Sequence, residues 1–376
     1  MLVLLKLAMS MDILKAKKPY FAKAAEDPFL LLRAEVKEIV TRFTPERRNE
    51  ILFKAFLFPF TYFFFWMLAL LFGANPWLLF SCYFFMGIAI VLNYLNVIHD
   101  SVHHTIFNSR RMNDRYTYLF DLMGANSFIW KTRHIRYHHN YPNVDGWDTD
   151  IDQSALVRIV PHSKLSVFHK YQHIYLPFIY PLFLFNWLLI RDFKDFFSKK
   201  RTVQKLIKIP PAEYIKLFVF KTVFFVSVIV LPKIILGISW LMALNAFCVM
   251  VLSASIFSLI VLLPPHANTT SEFPTPDSEK KLPYSWLLHM LKTTNDVNGE
   301  NWFTRFVMGN YNYHIVHHLF PNIHHAYYPE ITRALKRLSA QYNLPYRSYS
   351  LGTSLMNHYR LLKQNRSDFD VWEESM

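Results

Sequence analysis

The sequence predicts an all-α integral membrane protein with four transmembrane helices in two hairpins and a cytosolic helical cap. Three observations lead to this fold class: four long apolar stretches, short turns within each pair of stretches, and a one-sided distribution of basic residues. A membrane-spanning helix needs about 20 predominantly apolar residues. The chain supplies them, because 52% of its 376 residues are hydrophobic and 17% are aromatic.

The composition excludes several other classes of protein. The chain is too apolar to be disordered. Its two cysteines, Cys82 and Cys248, lie in apolar runs, which excludes a disulfide scaffold, a zinc ribbon and a thiolate-bound iron–sulfur cluster. The net charge is +14, but the basic residues flank apolar stretches. This arrangement indicates contact with anionic lipid headgroups. We therefore expect no nucleic-acid partner.

Turn residues separate the four apolar stretches into pairs. The spans are predicted at about 51–72, 77–98, 214–231 and 240–262. Only the uncharged turn from Gly73 to Pro76 separates the first pair, and a turn from Pro232 to Ser239 separates the second pair. Each pair is therefore predicted to be a tight helical hairpin.

The basic residues of the connecting segments predict the orientation in the membrane. The two hairpin turns contain a single basic residue, Lys233, and nearly all of the other Lys and Arg residues lie on the opposite side. We expect that side to be the cytosol, with both termini on it. The chain then divides into a cytosolic N-terminal segment (1–50), a membrane domain (51–345) and a cytosolic C-terminal tail (346–376).

Three clusters carry nine of the 17 histidines, and each cluster ends in His-His. Their members are His99, His103 and His104, then His134, His138 and His139, and finally His314, His317 and His318. On a helix, side chains three or four residues apart share one face, so two imidazoles of one cluster can reach the same ion. All three clusters lie on the predicted cytosolic side, beyond the ends of the spans.

Clustered imidazoles predict a metal centre. Imidazole suits Zn, Cu, Fe and Ni, whereas Mg and Ca prefer oxygen ligands. A zinc site uses three or four protein ligands, so nine or ten imidazoles are too many for one ion and fit two ions. Such a pair beside apolar helices indicates redox chemistry on a lipid. The alternative is a set of polar side chains at the membrane interface, but three similar clusters rarely arise by chance.

The clusters resemble the HxxxHH, HxxxHH and HxxHH boxes of the integral-membrane fatty acid desaturases. The stretch 309–321, which contains Asn312 and the third box, is similar to the branch that includes front-end and acyl-CoA or acyl-lipid desaturases. The resemblance covers about residues 50–345. It implies an oxidoreductase of unsaturated fatty acid biosynthesis that introduces a double bond into an acyl chain and reduces O2 to water.

The resemblance also implies a metal site, partners and a location. Two iron ions would be held by the nine boxed histidines and by His266, which stands just past the fourth span. The acyl substrate would be bound to CoA, a carrier protein or a lipid. No His-Pro-Gly-Gly motif of a fused cytochrome b5 domain is present, so electrons would come from a separate donor such as ferredoxin or cytochrome b5 with its reductase. We expect a bacterial inner membrane, or the endoplasmic reticulum in a eukaryote, with the active site on the cytosolic side.

Two alternatives and one departure from the family pattern stay open. A hydroxylase or ketolase on the same di-iron scaffold would use the same histidines. A membrane transport or metal-binding protein is the non-enzymatic alternative, but transporters place polar ligands near the bilayer midplane. His314 stands where many front-end members have Gln, which leaves the position of the new double bond open.

Several other polar residues lie close to the boxes. Asp100, Asn93 and Asn96 are candidates for orienting imidazoles, whereas His324 and His325 receive no role. The acidic run after the second box is expected to be a solvated turn; it comprises Asp145, Asp148, Asp150 and Asp152.

A fifth apolar segment, at about 174–190, is predicted not to cross the membrane. Five crossings would separate the third box from the first two by a hydrocarbon core about 30 Å thick. The length of the segment, about 17 residues, is at the lower limit for a span. Pro177 and Pro181 interrupt regular helix hydrogen bonding, and basic residues follow the segment. We expect it to lie at, or dip into, the cytosolic face.

Overall fold

The computed structural model describes residues 18–23, 27–151 and 154–367, which are mostly helical. Five helical stretches among them are long and apolar enough to cross a membrane, so the prediction of a helical membrane protein is confirmed. Their bounds are Phe29–Phe72, Pro76–Val102, Val167–Leu206, Pro211–Leu236 and Trp240–Leu262. The expected count of four crossings stays a prediction, because Val167–Leu206 is also long and apolar enough to cross a membrane.

The helices are numbered in chain order. They are α1 (Phe29–Phe72), α2 (Pro76–Asn93), α3 (His99–Val102), α4 (Arg110–Tyr116), α5 (Tyr118–Leu122), α6 (Ser127–Arg133), α7 (Gln172–Ile179), α8 (Phe183–Asn186), α9 (Asp192–Phe197), α10 (Thr202–Leu206), α11 (Pro211–Phe225), α12 (Leu231–Leu236), α13 (Trp240–Leu262), α14 (Trp286–Thr293), α15 (His314–Leu319), α16 (Tyr328–Gln341) and α17 (Leu351–Gln364). Turns of π-helix span Tyr94–Ile98, His134–His138, Trp187–Arg191, Val226–Val230 and Phe303–Val307, and 3-10 turns span Val167–Tyr171, Tyr180–Leu182 and His325–Tyr327. Strands β1 (Asp296–Val297) and β2 (Ser348–Tyr349) pair in parallel.

Helices α1 and α2 form the first predicted hairpin. Asn75 caps α2, because its side chain accepts hydrogen bonds from the backbone N–H groups of the first turn. Pro76 occupies the first helical position, where its missing N–H is not needed. Helix α1 begins at Phe29, well before the predicted start near residue 51, so it extends beyond the apolar stretch into the charged N-terminal region.

The second hairpin joins α11 and α12 to α13. Gly237 ends α12 in the left-handed conformation, with φ of 64°, and the Ser239 side chain caps α13. The turn is therefore shorter than predicted, because the helix continues through Pro232 to Leu236. Pro232 lies in the first turn of α12, directly after a π-turn, where a proline is tolerated.

Helix α2 is the centre of the membrane-embedded core and packs against both α1 and α13. The contact with α13 is very close at Gly87. A Cβ atom at that position would lie 2.0 Å from Ser253 Oγ and 2.2 Å from the Met250 carbonyl oxygen. Only glycine allows this approach without a shift of the helices.

The stretch Val167–Leu206 is a chain of short helical pieces. Its longest α-helical piece, α7, has 8 residues and contains Pro177, and 3-10 and π-turns interrupt the rest. Lys221 of α11 ties it to the core, because its Nζ lies 2.8 Å from Asp192 Oδ2 and donates to the Leu188 carbonyl oxygen at 2.7 Å. This buried ion pair holds the stretch against the second hairpin.

The cap consists of the segments that follow α2 and α13. Its helix α16 packs an apolar face against the N-terminal half of α1. Ile331 and Leu335 are fully buried there with Val36 of α1. The extension of α1 therefore supports the part of the cap that carries the third box.

Candidate metal centre

The first box follows α2 through the π-turn Tyr94–Ile98. Such turns insert one extra residue into a helix and often lie at functional sites. Helix α3 begins at His99, which leaves His99 and His103 four residues apart on one helical face. His104 has φ of 60°, so the chain turns away from the helical path directly after His103.

The second box is itself a π-turn, His134–His138, which continues α6. The Asn126 side chain caps α6 by accepting a hydrogen bond from the Ile129 N–H at 2.9 Å. At the other end of α6, the Arg133 guanidinium donates to Asp195 Oδ2 at 2.6 Å. This buried pair anchors the second box to α9.

The third box lies on the six-residue helix α15. Asp296 Oδ1 accepts a hydrogen bond from the Ile315 N–H at 2.8 Å, and its Oδ2 accepts one from the Tyr346 hydroxyl at 2.6 Å. Gly309 has φ of 56°, and a Cβ there would lie 2.7 Å from the Leu95 carbonyl oxygen. The chain that leads into the third box therefore packs against the π-turn below the first box.

Five buried histidines from the three boxes form one group, here named the five-histidine group. Its members are His99, His103, His134, His139 and His317, whose ligand nitrogens all lie within 4.8 Å of one another. His134 Nε2 is 3.1 Å from His99 Nε2 and 3.0 Å from His139 Nε2. His103 Nε2 and His317 Nε2 are buried and find no hydrogen-bond partner in the described part of the chain.

Four more buried histidines form the four-histidine group beside it. They are His138, His266, His314 and His318, again with ligand nitrogens within 4.8 Å of one another. His266 Nε2 lies 2.9 Å from His314 Nε2 and 3.0 Å from His318 Nε2. The two groups are adjacent, because the ring centres of His139 and His318 are 4.7 Å apart.

The geometry of both groups fits metal ions. A metal–nitrogen distance of about 2.0–2.1 Å separates neighbouring imidazole nitrogens around one ion by about 3 Å. The observed nitrogen–nitrogen distances of 2.9–3.1 Å match this spacing. Two imidazole nitrogens this close repel each other unless a proton or a metal lies between them. Nine of the ten histidines that we expect to be ligands are thus brought together.

His104 is the tenth, and the structure does not bring it together with the others. Its Nε2 lies 2.9 Å from Asp114 Oδ1 and 3.4 Å from Lys131 Nζ. The ring is partly exposed. His104 therefore takes part in a surface hydrogen-bond network, although it is covalently joined to His103.

Three side chains outside the boxes orient the imidazoles. His138 Nδ1 is 3.0 Å from Asp148 Oδ1, His134 Nδ1 is 3.1 Å from Asp150 Oδ2, and His317 Nδ1 is 3.1 Å from the Tyr328 hydroxyl. Such partners fix the ring and direct the other nitrogen at the metal. The expectation of a solvated turn is therefore wrong for Asp148 and Asp150; Asp145 is exposed, and Asp152 lies outside the described residues.

Asp100 orients His325 instead of a boxed histidine. Asp100 Oδ2 is 2.7 Å from His325 Nδ1, and His325 Nε2 accepts a hydrogen bond from Lys54 Nζ at 3.0 Å. Lys54 is fully buried, and its Nζ also lies 3.2 Å from Glu50 Oε1. Asn93 and Asn96 donate to backbone carbonyl oxygens, so the structure gives them a structural role next to the first box.

Burial prepares the imidazoles to act as ligands. It lowers the pKa values of His134, His139 and His318 well below the ordinary range, and the neighbouring imidazoles add to this effect. Burial also lowers the pKa of His266 to about 3. Burial disfavours the charged form of His138 as well, but the Asp148 carboxylate outweighs it and raises the pKa of His138. Neutral imidazoles offer a free lone pair to a metal.

An apolar cavity of 600 Å³ reaches both groups. Its inner end is lined by His134, His138 and His266, together with Tyr94 and Tyr311. Its walls come from the stretch Val167–Leu206, the end of α13 and the residues after the second box. A volume of this size with mostly apolar walls suits a hydrocarbon chain.

Comparison with known proteins agrees with this site. A family model described as fatty acid desaturase matches residues 74–350. This chain belongs to the fatty acid desaturase family. It is therefore an oxidoreductase that desaturates fatty acyl chains, and the resemblance of the histidine boxes to this family is confirmed.

Three relatives are acyl-lipid desaturases by name. An acyl-lipid (8-3)-desaturase of Physcomitrium patens is 27% identical over 357 residues, covering 93% of this chain and 74% of the relative. An sn-1 linoleoyl-lipid 6-desaturase of Arthrospira platensis is 30% identical, over 67% of this chain and 68% of the relative. The protein of the same name from a Synechocystis strain is 27% identical, over 74% of this desaturase and 78% of the relative.

Proposed function

We propose that this desaturase introduces a double bond into a fatty acyl chain in an oxygen-dependent reaction at two histidine-held iron ions. The observation that carries the proposal is the pair of buried histidine groups at the inner end of an apolar cavity. The five-histidine group would hold one ion and the four-histidine group the other, and imidazole suits iron. A bound iron pair would activate O2 for the removal of hydrogen from an unactivated methylene.

The residues of the chain supply position and environment. Asp148, Asp150 and Tyr328 hold three imidazoles in fixed orientations. The apolar cavity would hold one stretch of the acyl chain next to the histidines and exclude water from it. Tyr94 and Tyr311 line this end of the cavity and limit where a methylene can lie.

The acyl chain would reach the enzyme on CoA, on a carrier protein or as part of a lipid. The relatives named above act on lipid-bound acyl chains, which favours the last of these. Electrons would come from a separate donor of the ferredoxin or cytochrome b5 type. We place the active site on the cytosolic side, because basic residues follow the second span and the stretch Val167–Leu206.

Convergence of the boxes supports four crossings. His99 lies at the end of the second candidate span and His266 directly follows the last one, yet both belong to the same pair of groups. The chain between them must then cross the membrane an even number of times. The hairpin of α11, α12 and α13 supplies two crossings, so Val167–Leu206 would have to stay on one side. Its broken helical structure agrees with this.

The topology can be tested by cysteine labelling in sealed vesicles. Single cysteines at Ser154 and Ser198, in a variant that lacks Cys82 and Cys248, should both react from the cytosolic side. Reaction from opposite sides would overturn the four-crossing arrangement.

The function is tested by expression in a host with a simple lipid profile, followed by mass spectrometry of its fatty acids. The wild type should produce a new double bond, and the His99→Ala and His317→Ala variants should not. His162→Ala is the matched control, because His162 is exposed and distant in sequence from the boxes. Hydroxylated or keto products without a new double bond would overturn desaturation. Purified protein with stoichiometric zinc and no iron, from an iron-replete culture, would overturn the iron site.

A further inference from the structure

Lys54 is a buried cation in the first membrane helix. It lies on α1, inside the first predicted span, and its side chain is fully buried whereas the preceding Phe53 is exposed. Three acceptors surround its ammonium group: the Arg305 carbonyl oxygen at 2.6 Å, His325 Nε2 at 3.0 Å and Glu50 Oε1 at 3.2 Å. All three N–H donors of the group therefore have a partner. An ionisable side chain inside a membrane span is costly and is a candidate for a functional role.

The contact with Lys54 fixes the proton of the His325 ring. Burial lowers the pKa of His325 well below its ordinary range, and the Lys54 ammonium adds to this effect, so the imidazole is neutral and carries one proton. An ammonium group can only donate, so Nε2 accepts and the proton lies on Nδ1. His325 Nδ1 then donates to Asp100 Oδ2 at 2.7 Å. Lys54, His325 and Asp100 thus form a chain of hydrogen bonds with one direction, here named the buried triad.

The buried triad ends between two members of the five-histidine group. Asp100 lies on α3, directly after His99 and three residues before His103. Its Oδ1 also accepts a hydrogen bond from the Thr105 hydroxyl at 3.2 Å. The carboxylate therefore holds α3 at one place against the 3-10 turn His325–Tyr327.

The same 3-10 turn also supports the third box. Tyr328 directly follows the turn, and its hydroxyl lies 3.1 Å from His317 Nδ1. The His325 carbonyl oxygen accepts a hydrogen bond at 2.9 Å from the side chain of Asn310, which precedes α15. One buried histidine thus connects the supports of His99, His103 and His317, which all belong to the five-histidine group.

The charge of Lys54 explains the direction of these hydrogen bonds. With an apolar residue in its place, the His325 proton could move to Nε2, and Nδ1 would turn its lone pair towards the Asp100 carboxylate. Two acceptors 2.7 Å apart repel each other, so Asp100 and α3 would have to shift. A buried ion pair is weak evidence for stability, but it can select one arrangement of the groups around it.

The buried triad resembles a metal site but already holds a cation. Ligand atoms of Asp100, His324 and His325 lie within 4.8 Å of one another. The Lys54 ammonium supplies the positive charge at His325 Nε2, and a second cation beside it would be repelled. We therefore expect no ion here, and a third metal ion per chain that is lost in His324→Ala would overturn this assignment.

We propose that Lys54 is a positioning residue for the five-histidine group. It acts through His325 and Asp100, whose hydrogen bond holds the two first-box members of the group in place. The effect on bound iron rests on the proposed function, whereas the direction of the hydrogen bonds in the buried triad does not.

The first test reads the position of the proton without turnover. Histidine in the purified full-length protein is isotope-labelled, and nitrogen NMR distinguishes the two neutral forms of each imidazole. The His325→Ala variant, which lacks one histidine, identifies the signal of His325. The wild type should carry the proton on Nδ1, and Lys54→Met should shift it in part to Nε2. A wild-type proton on Nε2, or an unchanged signal in Lys54→Met, would overturn the inference.

The second test compares two buried lysines in membrane helices. Lys54→Met should change the Mössbauer signal of the ion in the five-histidine group, leave that of the four-histidine group unchanged and lower product formation about tenfold. Lys221→Met is the matched control, because Lys221 is also buried and paired with a carboxylate, that of Asp192, but its hydrogen bonds reach no histidine box. It should lower the unfolding temperature and leave both iron signals unchanged. The same change of the iron signals in both variants would overturn the inference.

A double variant tests whether Lys54 acts through His325. If it does, Lys54→Met should add little to the loss of product formation that His325→Ala already causes, because effects that share one path are not additive. Fully additive losses would overturn the inference, and the wild-type NMR result decides even where a variant does not fold. Wild-type protein without iron, or without a new double bond in its product, would instead overturn the proposed function and leave the NMR result as it stands.

Discussion

The five-histidine and four-histidine groups differ in how fully the protein encloses them. The larger group draws on all three boxes, and only one of its members, His134, lines the cavity. The smaller group includes His266 from outside the boxes, and two of its members, His138 and His266, line the cavity. We therefore expect the four-histidine group to be the one that is open towards the acyl chain.

The comparison also explains why the boxes end in His-His. In the second box, His138 enters the smaller group and His139 the larger one. In the third box, His318 and His317 divide in the same way. Adjacent side chains on these turns thus belong to two neighbouring histidine groups. The first box departs from this pattern, because His103 joins the larger group and His104 faces Asp114.

The largest expected effect comes from removing one ligand of each group in turn. His266→Ala should leave roughly one iron per chain, in the five-histidine group, since two ions with four or five imidazoles each fit the set. His103→Ala should instead deplete the five-histidine group. Both variants should lose desaturation. Elemental analysis and Mössbauer spectroscopy of the purified variants measure how much iron remains and in which environment.

Identical residual iron spectra for His266→Ala and His103→Ala would contradict the division into two groups. The exposed His162→Ala variant serves as the control for purification and iron loading.

A smaller loss is expected at the carboxylate that orients the four-histidine group. Asp148→Asn keeps the shape but removes the charge that faces His138, and such outer partners typically contribute about 10–100-fold in activity or metal affinity. Product formation and iron content should both fall. Asp145→Asn is the matched control in the same turn, because Asp145 is exposed. Equal behaviour of the two variants would mean that the Asp148–His138 contact has no orienting role.

Sequence reasoning identified nine histidines that the structure brings together and missed the residues that orient them. Boxed histidines are recognisable because ligands of one box must lie close together on a helical turn. Asp148 and Asp150 lie ten and sixteen residues after the histidines that they contact, and nothing in an acidic run reveals that the loop folds back. Tyr328 and Asp296 likewise reach the third box only through tertiary packing. For them a single sequence carries no local signal.

For the membrane-embedded helices too, some features were predicted from the sequence and others were missed. Apolar length and the turn residues predicted both hairpins, whereas the caps at Asn75, Gly237 and Ser239 come from the structure. The N-terminal extension of α1 was missed because its mixed charged and apolar residues resemble a surface segment, whereas it packs against α16. The sequence analysis also missed the π-turns at the first two boxes.

A moderate loss of stability is expected from Asp296→Ala. Asp296 accepts hydrogen bonds from the Ile315 N–H and the Tyr346 hydroxyl, and an unpaired buried donor costs about 1–3 kcal/mol. Thermal unfolding in detergent should shift to a lower temperature for Asp296→Ala and shift less for Asp296→Asn, which retains an acceptor. Unchanged unfolding of Asp296→Ala would show that these bonds do not support α15.

Burial raises the pKa of Asp296 to about 7, above the value of about 3.9 for a free aspartate. The folded state therefore binds a proton that the unfolded state releases between these values. The resulting stabilisation is present at low pH and is lost as the pH rises through 7. Asp296→Asn should remove this part of the pH dependence, which a series of unfolding curves between pH 5 and pH 8 would measure.

The smallest effect is expected for His104→Ala, and this variant sharpens the comparison of the boxes. His104 faces Asp114 and Lys131 at the surface, so its removal exposes no metal and leaves both groups with all of their members. Iron content should stay at the wild-type level and product formation should fall little. His103→Ala, one residue away, should by contrast lose iron and activity. A loss of iron in His104→Ala would mean that the first box also divides between two ions, and that His104 turns inwards when the metal is bound.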